Sequence, residues 1–113
     1  MNTLCTNVDI DLMRSAAGEV STVLHAMANE KRLLLLCQLS QGEKSVGELE
    51  ELLDLHQPTL SQQLGVLRTE GLVSTRRDGK RIYYSVSDPR LLALLNTLYG
   101  LYCPNRHLPP CID

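Results

Sequence analysis

The 113-residue chain has no Trp and no Phe, so Leu, Val, Ile and four Tyr must build its core. No apolar run approaches the roughly 18 residues that a membrane-spanning helix needs. The first residues, MNTLCTNVDIDLMR, lack the basic start and unbroken apolar stretch of a signal peptide. A cytoplasmic protein with no membrane partner is the reading. In that reducing setting the four Cys are not expected to form a structural disulfide framework. Any Cys that matters should act through reactivity or metal binding. There is no internal repeat, no low-complexity stretch, no long linker, no Cys-x-x-Cys, no cofactor loop and no acid–base cluster. Those absences argue against a small redox enzyme and imply no cofactor. The length suits one domain with one modest core.

A net charge of −2 would seem to exclude nucleic acid, but the charges are segregated. Residues 43 to 54 set Glu43, Glu48, Glu50, Glu51 and Asp54 against Lys44, a net −4. Residues 57 to 81 set Arg68, Arg76, Arg77, Lys80 and Arg81 against Glu70 and Asp78, a net +3. Phosphate responds to the local field rather than to the total.

Apolar residues recur at helical spacing from residue 9 to 27, through Ile10, Met13, Ala17, Val20, Val23, Leu24 and Met27. Asn29 suits the N-cap of a second helix, KRLLLLCQLS, which ends before Gly42. Its four consecutive Leu, Leu33 to Leu36, make it apolar nearly all round and hence central. Ser45-Val46-Gly47-Glu48 has the spacing of a capping box, opening a third helix with Val46, Leu49, Leu52 and Leu53 on one face. After the link Asp54-Leu55-His56, Pro58 suits the first position of a fourth helix, about 58 to 70. Two alternating runs, Leu72 to Arg77 and Arg81 to Val86, meet at Asp78-Gly79, a strong hairpin signal. Asp88-Pro89 opens a last helix that ends at Cys103-Pro104, followed by an expected mobile tail, 104 to 113. The fold class is mainly α with a small β-hairpin, a winged helix-turn-helix in the order α-α-α-α-β-β-α. The reader helices span about 45 to 70 and the wing about 72 to 86. The apolar helices at about 9 to 27 and 89 to 103, with Leu94, Leu98 and Leu101 in a stripe, are expected to make a homodimer.

In a helix-turn-helix the second helix reads the major groove. Helical spacing turns Leu60, Leu64 and Leu67 inward and Thr59, Gln62, Gln63 and Val66 outward, with Ser61 near the edge and Gln57 at the start. That outward face is uncharged but rich in hydrogen-bonding groups: Gln can pair with adenine and a Thr methyl can touch thymine. An ordinary solvated face is the competing reading, but such faces usually carry Lys and Glu. Arg68 follows on the same helix. In the hairpin, Arg76, Arg77, Lys80 and Arg81 form a candidate wing reaching phosphates or the minor groove. The alternative is a charged tip that serves solubility.

The stretch LHAMANEKRLLLLCQLSQGEKSVGELEELLDLHQPTLSQQLGVLRTEGLVSTRRDGKRIYYSV, together with LYGLYC, resembles the ArsR family of small winged-helix repressors. The resemblance covers roughly residues 10 to 104, and QPTLSQQLGVLR is its most specific segment. It implies a dimer built on the first and last helices, with two wings straddling an inverted repeat of double-stranded DNA. Metal sensing is common in the family, but the third helix, VGELEELL, has no Cys-x-Cys, and His25, His56 and His107 are scattered. No metal site is expected. Cys37 in LLLLCQL and Cys103 in LYGLYCP resemble the pair of the BigR/SqrR branch, shared by HlyU-type regulators, which senses persulfides. That likeness implies a redox sensor: bridging of Cys37 and Cys103, through extra sulfur atoms or directly, releases DNA. Without the likeness, Cys37 reads first as a small core hydrophobe. Cys5 and Cys111 have no assigned part.

Overall fold

The structure, a computed structural model, describes residues 9–103. Helix α1 spans Ile10–Met27, α2 Glu30–Leu39, α3 Val46–Leu53, α4 Gln57–Thr69 and α5 Pro89–Tyr102. Strand β1 is Lys44–Ser45, β2 Val73–Asp78 and β3 Arg81–Val86. The winged helix-turn-helix is the architecture expected. No described helix is long and apolar enough to cross a membrane.

Four of the five described helices start where a side chain satisfies otherwise unpaired amides. The Asp9 carboxylate accepts from the amides of Asp11 and Leu12, Asn29 from Arg32, and Asp88 from Arg90. At α3 the capping box is complete: the Glu48 amide donates to Ser45 Oγ at 3.2 Å, and the Ser45 amide donates to Glu48 Oε1 at 2.8 Å. That backbone bond, first among the causes, holds the Glu48 carboxyl below its ordinary pKa. The exception is α4, where His56 caps without a side-chain bond and Pro58 takes the second rather than the first helical position.

The sheet has one strand more than the sequence suggested. It is antiparallel in the order β1-β3-β2. β2 and β3 form the expected hairpin, with Asp78 opposite Arg81 across a Gly79 at φ +66°. Leu72 falls just outside β2, because its amide closes the end of α4 on Leu67 O at 2.9 Å. In β1, Lys44 pairs with Tyr84 and Ser45 with Tyr83, so the residue that caps α3 also belongs to the sheet.

The core is built almost wholly of Leu. Leu35, Leu36, Leu39, Leu49, Leu60, Leu64, Leu67, Leu91 and Leu95 are fully buried, drawn from every helix except α1, which adds Ala26 and Met27. Leu60, Leu64 and Leu67 face inward, as expected of α4. The four-Leu run of α2 is less uniform than expected: Leu35 and Leu36 are fully buried, whereas Leu34 is 44% exposed.

Candidate nucleic-acid interface and thiol pair

The α3–turn–α4 unit rests on Asp54, which ends α3 at φ 54°, a left-handed conformation that Asp tolerates better than most residues. On α4, Gln57, Ser61, Gln62 and Arg68 are exposed, and Val66 is 38% exposed. Thr59 and Gln63, expected to face outward, are half-buried. Gln63 is turned toward α2, where its Oε1 accepts a hydrogen bond from Arg32 Nη1 at 3.1 Å. The helical wheel could not show this, because the partner lies on another helix.

The wing cations divide into two sorts. Arg77, Lys80 and Arg81 are exposed and, among the described residues, make no ion pair. Arg76 is held. Its Nη2 donates to Glu43 Oε1 at 2.6 Å and its Nε to Glu43 Oε2 at 3.1 Å, a fork on one carboxylate. The guanidinium also lies 4.9 Å from the Tyr83 ring centroid, the residue opposite it on β3. The Arg76 hydrogen bonds hold the Glu43 carboxyl below its ordinary pKa. Arg76, expected with the other wing cations to reach phosphates or the minor groove, is paired and joins β2 to the segment before β1. Glu43 and Tyr83 went unpredicted; the only signal in the sequence was a pair of oppositely charged blocks. An open cleft of about 750 Å³ lies between wing and helices, and its lining includes Lys80 and Arg81 of the wing, Gln57 of α4 and Glu48, Glu50 and Glu51 of α3.

Cys37, on α2, and Cys103, the C-cap of α5, are both free and half-buried. Burial raises the Cys37 thiol above its ordinary pKa, and charge on Cys103 raises it further. α2, which carries Cys37, packs against α5, which Cys103 ends. Among the described residues no group of three His, Cys, Asp or Glu could hold a metal. His25 and His56 are exposed; His107, Cys5, Cys111 and the tail lie outside the described residues.

The apolar stripe expected on the last helix splits in two. Leu94 and Leu98 pack on the core of their own chain, whereas Leu101 and Tyr102 are 67% and 77% exposed. On α1, Ile10, Leu12, Met13, Val20 and Leu24 are exposed. Arg90 at the start of α5 reaches Glu19 of α1 at 2.6 Å, which ties the two helices together.

Residues 29–75 match the family described as bacterial regulatory protein, arsR family. The biofilm growth-associated repressor of Agrobacterium fabrum is 48% identical over 96 residues, covering 85% of this chain and 82% of that protein. The crystal structure of the transcriptional repressor BigR from Xylella fastidiosa superposes with a TM-score of 0.79 at 45% identity, over 85% of this chain and 98% of that one. HlyU of Vibrio cholerae, described as a transcriptional activator, is 41% identical over 96 residues, 85% of this chain and 89% of its own. Its reduced form, solved as such, gives a TM-score of 0.77 over 80% of this chain and 96% of that one.

Proposed function

The chain belongs to the arsR family of bacterial regulatory proteins, DNA-binding transcriptional regulators rather than enzymes, and on that footing we propose that it is a homodimeric repressor that leaves its operator when Cys37 and Cys103 are bridged by reactive sulfur. Support for repression comes from the repressors it is similar to. Support for the dimer comes from the exposed apolar residues of α1 and the end of α5, a surface ill suited to water. The two-fold would set two α4 helices against the half-sites of an inverted repeat. Gln57, Ser61 and Gln62 read base edges, with Thr59 at their margin. Arg68, Arg77, Lys80 and Arg81 contact phosphate.

The observation that carries the sensor is the placement of two free, half-buried thiols, Cys37 on α2 and Cys103 at the end of α5, on helices that pack together. A thiolate is the nucleophile, and the first attack is assigned to Cys103, which sits at the end of α5 next to the exposed Leu101 and Tyr102. It takes the outer sulfur of a persulfide, RSSH, and releases RSH. Cys37 then attacks the Cys103 sulfur, expelling hydrosulfide and closing a disulfide. Both cysteines are thereby oxidised, and the transferred sulfur is reduced to sulfide. Each further persulfide consumed before closure leaves one more sulfur in the bridge. The bridge fastens α5 to α2, and it releases DNA to the extent that it fits the unbound arrangement better. The test is mass spectrometry paired with a DNA-binding assay after persulfide and after peroxide. Cys37→Ser and Cys103→Ser should each bind DNA as the wild type does and no longer release it. Persulfide release in the double variant would refute the pair and direct attention to Cys5 or Cys111.

A further inference from the structure

Arg32 stands where three helices come together. Its own amide donates to the Asn29 cap at 3.1 Å, fixing its backbone at the start of α2. Its side chain runs back to the end of α1, where Nε donates to Ala26 O at 2.9 Å and Nη2 to His25 O at 3.4 Å. Its remaining arm, Nη1, donates to Gln63 Oε1 on α4 at 3.1 Å. A guanidinium has donors only, so the Gln63 atom facing it must be the amide oxygen whichever way the amide is drawn. Around this point α1 and α4 are separated by an open cleft of about 390 Å³ whose lining includes Thr22, His25, Arg32, Val66 and Glu70. Arg32 thus supplies a polar link across a gap between the helix assigned to the dimer and the helix assigned to DNA.

We propose that Arg32 is a positioning residue that sets the separation of the two reading helices, by fixing α4 to the C-terminal end of α1 through Gln63. The proposal rests on the dimeric DNA-binding reading above. It assigns Gln63 to anchoring α4 and leaves base contact to its exposed neighbour Gln62. A basic side chain capping the last carbonyls of a helix is common, and capping accounts for two of the three side-chain bonds. It does not account for the third. The planar fork, with donors at fixed angles, makes all three bonds at once, which a Lys ammonium on its flexible stem cannot do.

A change of one base pair in the spacer moves a half-site about 3.4 Å along the duplex and turns it by about 34°. A dimer whose reading helices are fixed relative to one another has a sharp spacing optimum; a loosened one tolerates the change. The experiment uses the full chain and a set of duplexes selected by the wild type, first as single half-sites and then as inverted repeats with spacers varied one base pair at a time. Coupling between groups in contact corresponds to factors of about 2 to about 150. The expected discrimination is on the order of tenfold per base pair for wild type and about twofold for Arg32→Met, with half-site affinity and base preference unchanged. Gln63→Leu keeps both α1 carbonyl bonds and cuts only the α4 end; it should broaden the optimum equally, so the outcome does not depend on the stability of Arg32→Met. Gln63→Glu retains an acceptor for Arg32 and should keep the sharp optimum. A sharp optimum in Gln63→Leu, or a lost one in Gln63→Glu, overturns the proposal, as does a wild-type dimer indifferent to spacing. A chain that binds no inverted repeat as a dimer refutes the underlying reading instead.

Discussion

Removing one wing cation should change the salt dependence of DNA binding by a calculable amount, and removing its neighbour should not. The chain offers Arg68, Arg77, Lys80 and Arg81 as exposed cations that make no ion pair among the described residues. If each meets a phosphate, a dimer neutralises about eight, and log K should fall against log salt with a slope of about −7. Between 50 and 200 mM salt that amounts to a loss of about 10⁴ in affinity. Lys80→Ala withdraws two contacts per dimer, flattens the slope to about −5 and weakens binding about thirtyfold at 150 mM. Arg76 already has its charge on Glu43. Arg76→Ala should therefore leave the slope unchanged to within about 0.5, shifting the line without tilting it. Glu43→Gln frees Arg76 and should steepen the slope by up to about 2. Fluorescence anisotropy of a labelled duplex, titrated with NaCl for the four proteins, measures all of this. A slope flattened as much by Arg76→Ala as by Lys80→Ala would refute the assignment of Arg76 to the base of the wing.

Leu64→Ala in the fully buried face of α4 should destabilise by about 2–5 kcal/mol in urea unfolding, with the slope of the transition unchanged. Because the folded pKa of Glu48 is depressed, its contribution is present above the ordinary Glu range and lost as pH falls through the folded value. The stability gap between wild type and Glu48→Ala should therefore shrink on acidification, as followed by thermal unfolding across pH. Leu24→Glu, placed on the exposed face of α1, should give folded monomers that fail to bind an inverted repeat; sedimentation showing dimers of normal stability would exclude α1 from the interface.

The sequence showed local features well and distant ones poorly. Asn29, Ser45 with Glu48, and Asp88 act within three residues of their own positions, so cap chemistry alone located the helix starts. Asp78-Gly79 fixed the hairpin for the same reason. β1 escaped because two residues carry no periodicity and its partners, Tyr83 and Tyr84, come from the far side of the helix-turn-helix. At the candidate interface, residue types were legible but their partners were not. Gln63 has the right chemistry for a base edge, yet Arg32, from another helix, occupies its oxygen. Arg76 and Glu43 meet only because β1 and β3 pair. The thiol pair came from resemblance; that α5 returns to pack on α2 is something no spacing in the chain expresses.

Ser45 belongs at once to β1 and to the cap of α3, and it is buried. The wing and the helix-turn-helix therefore share a residue, with the Glu43–Arg76 fork beside it as a second fastening. A reading head fastened in this way has little give of its own. When a site does not suit its shape, the duplex must bend or change its groove width to comply, and the energy of doing so depends on base steps that no side chain touches. For a chain that reads an operator as proposed, the expected outcome is a sequence preference at uncontacted positions, favouring flexible pyrimidine–purine steps, that traces back to where a single serine sits.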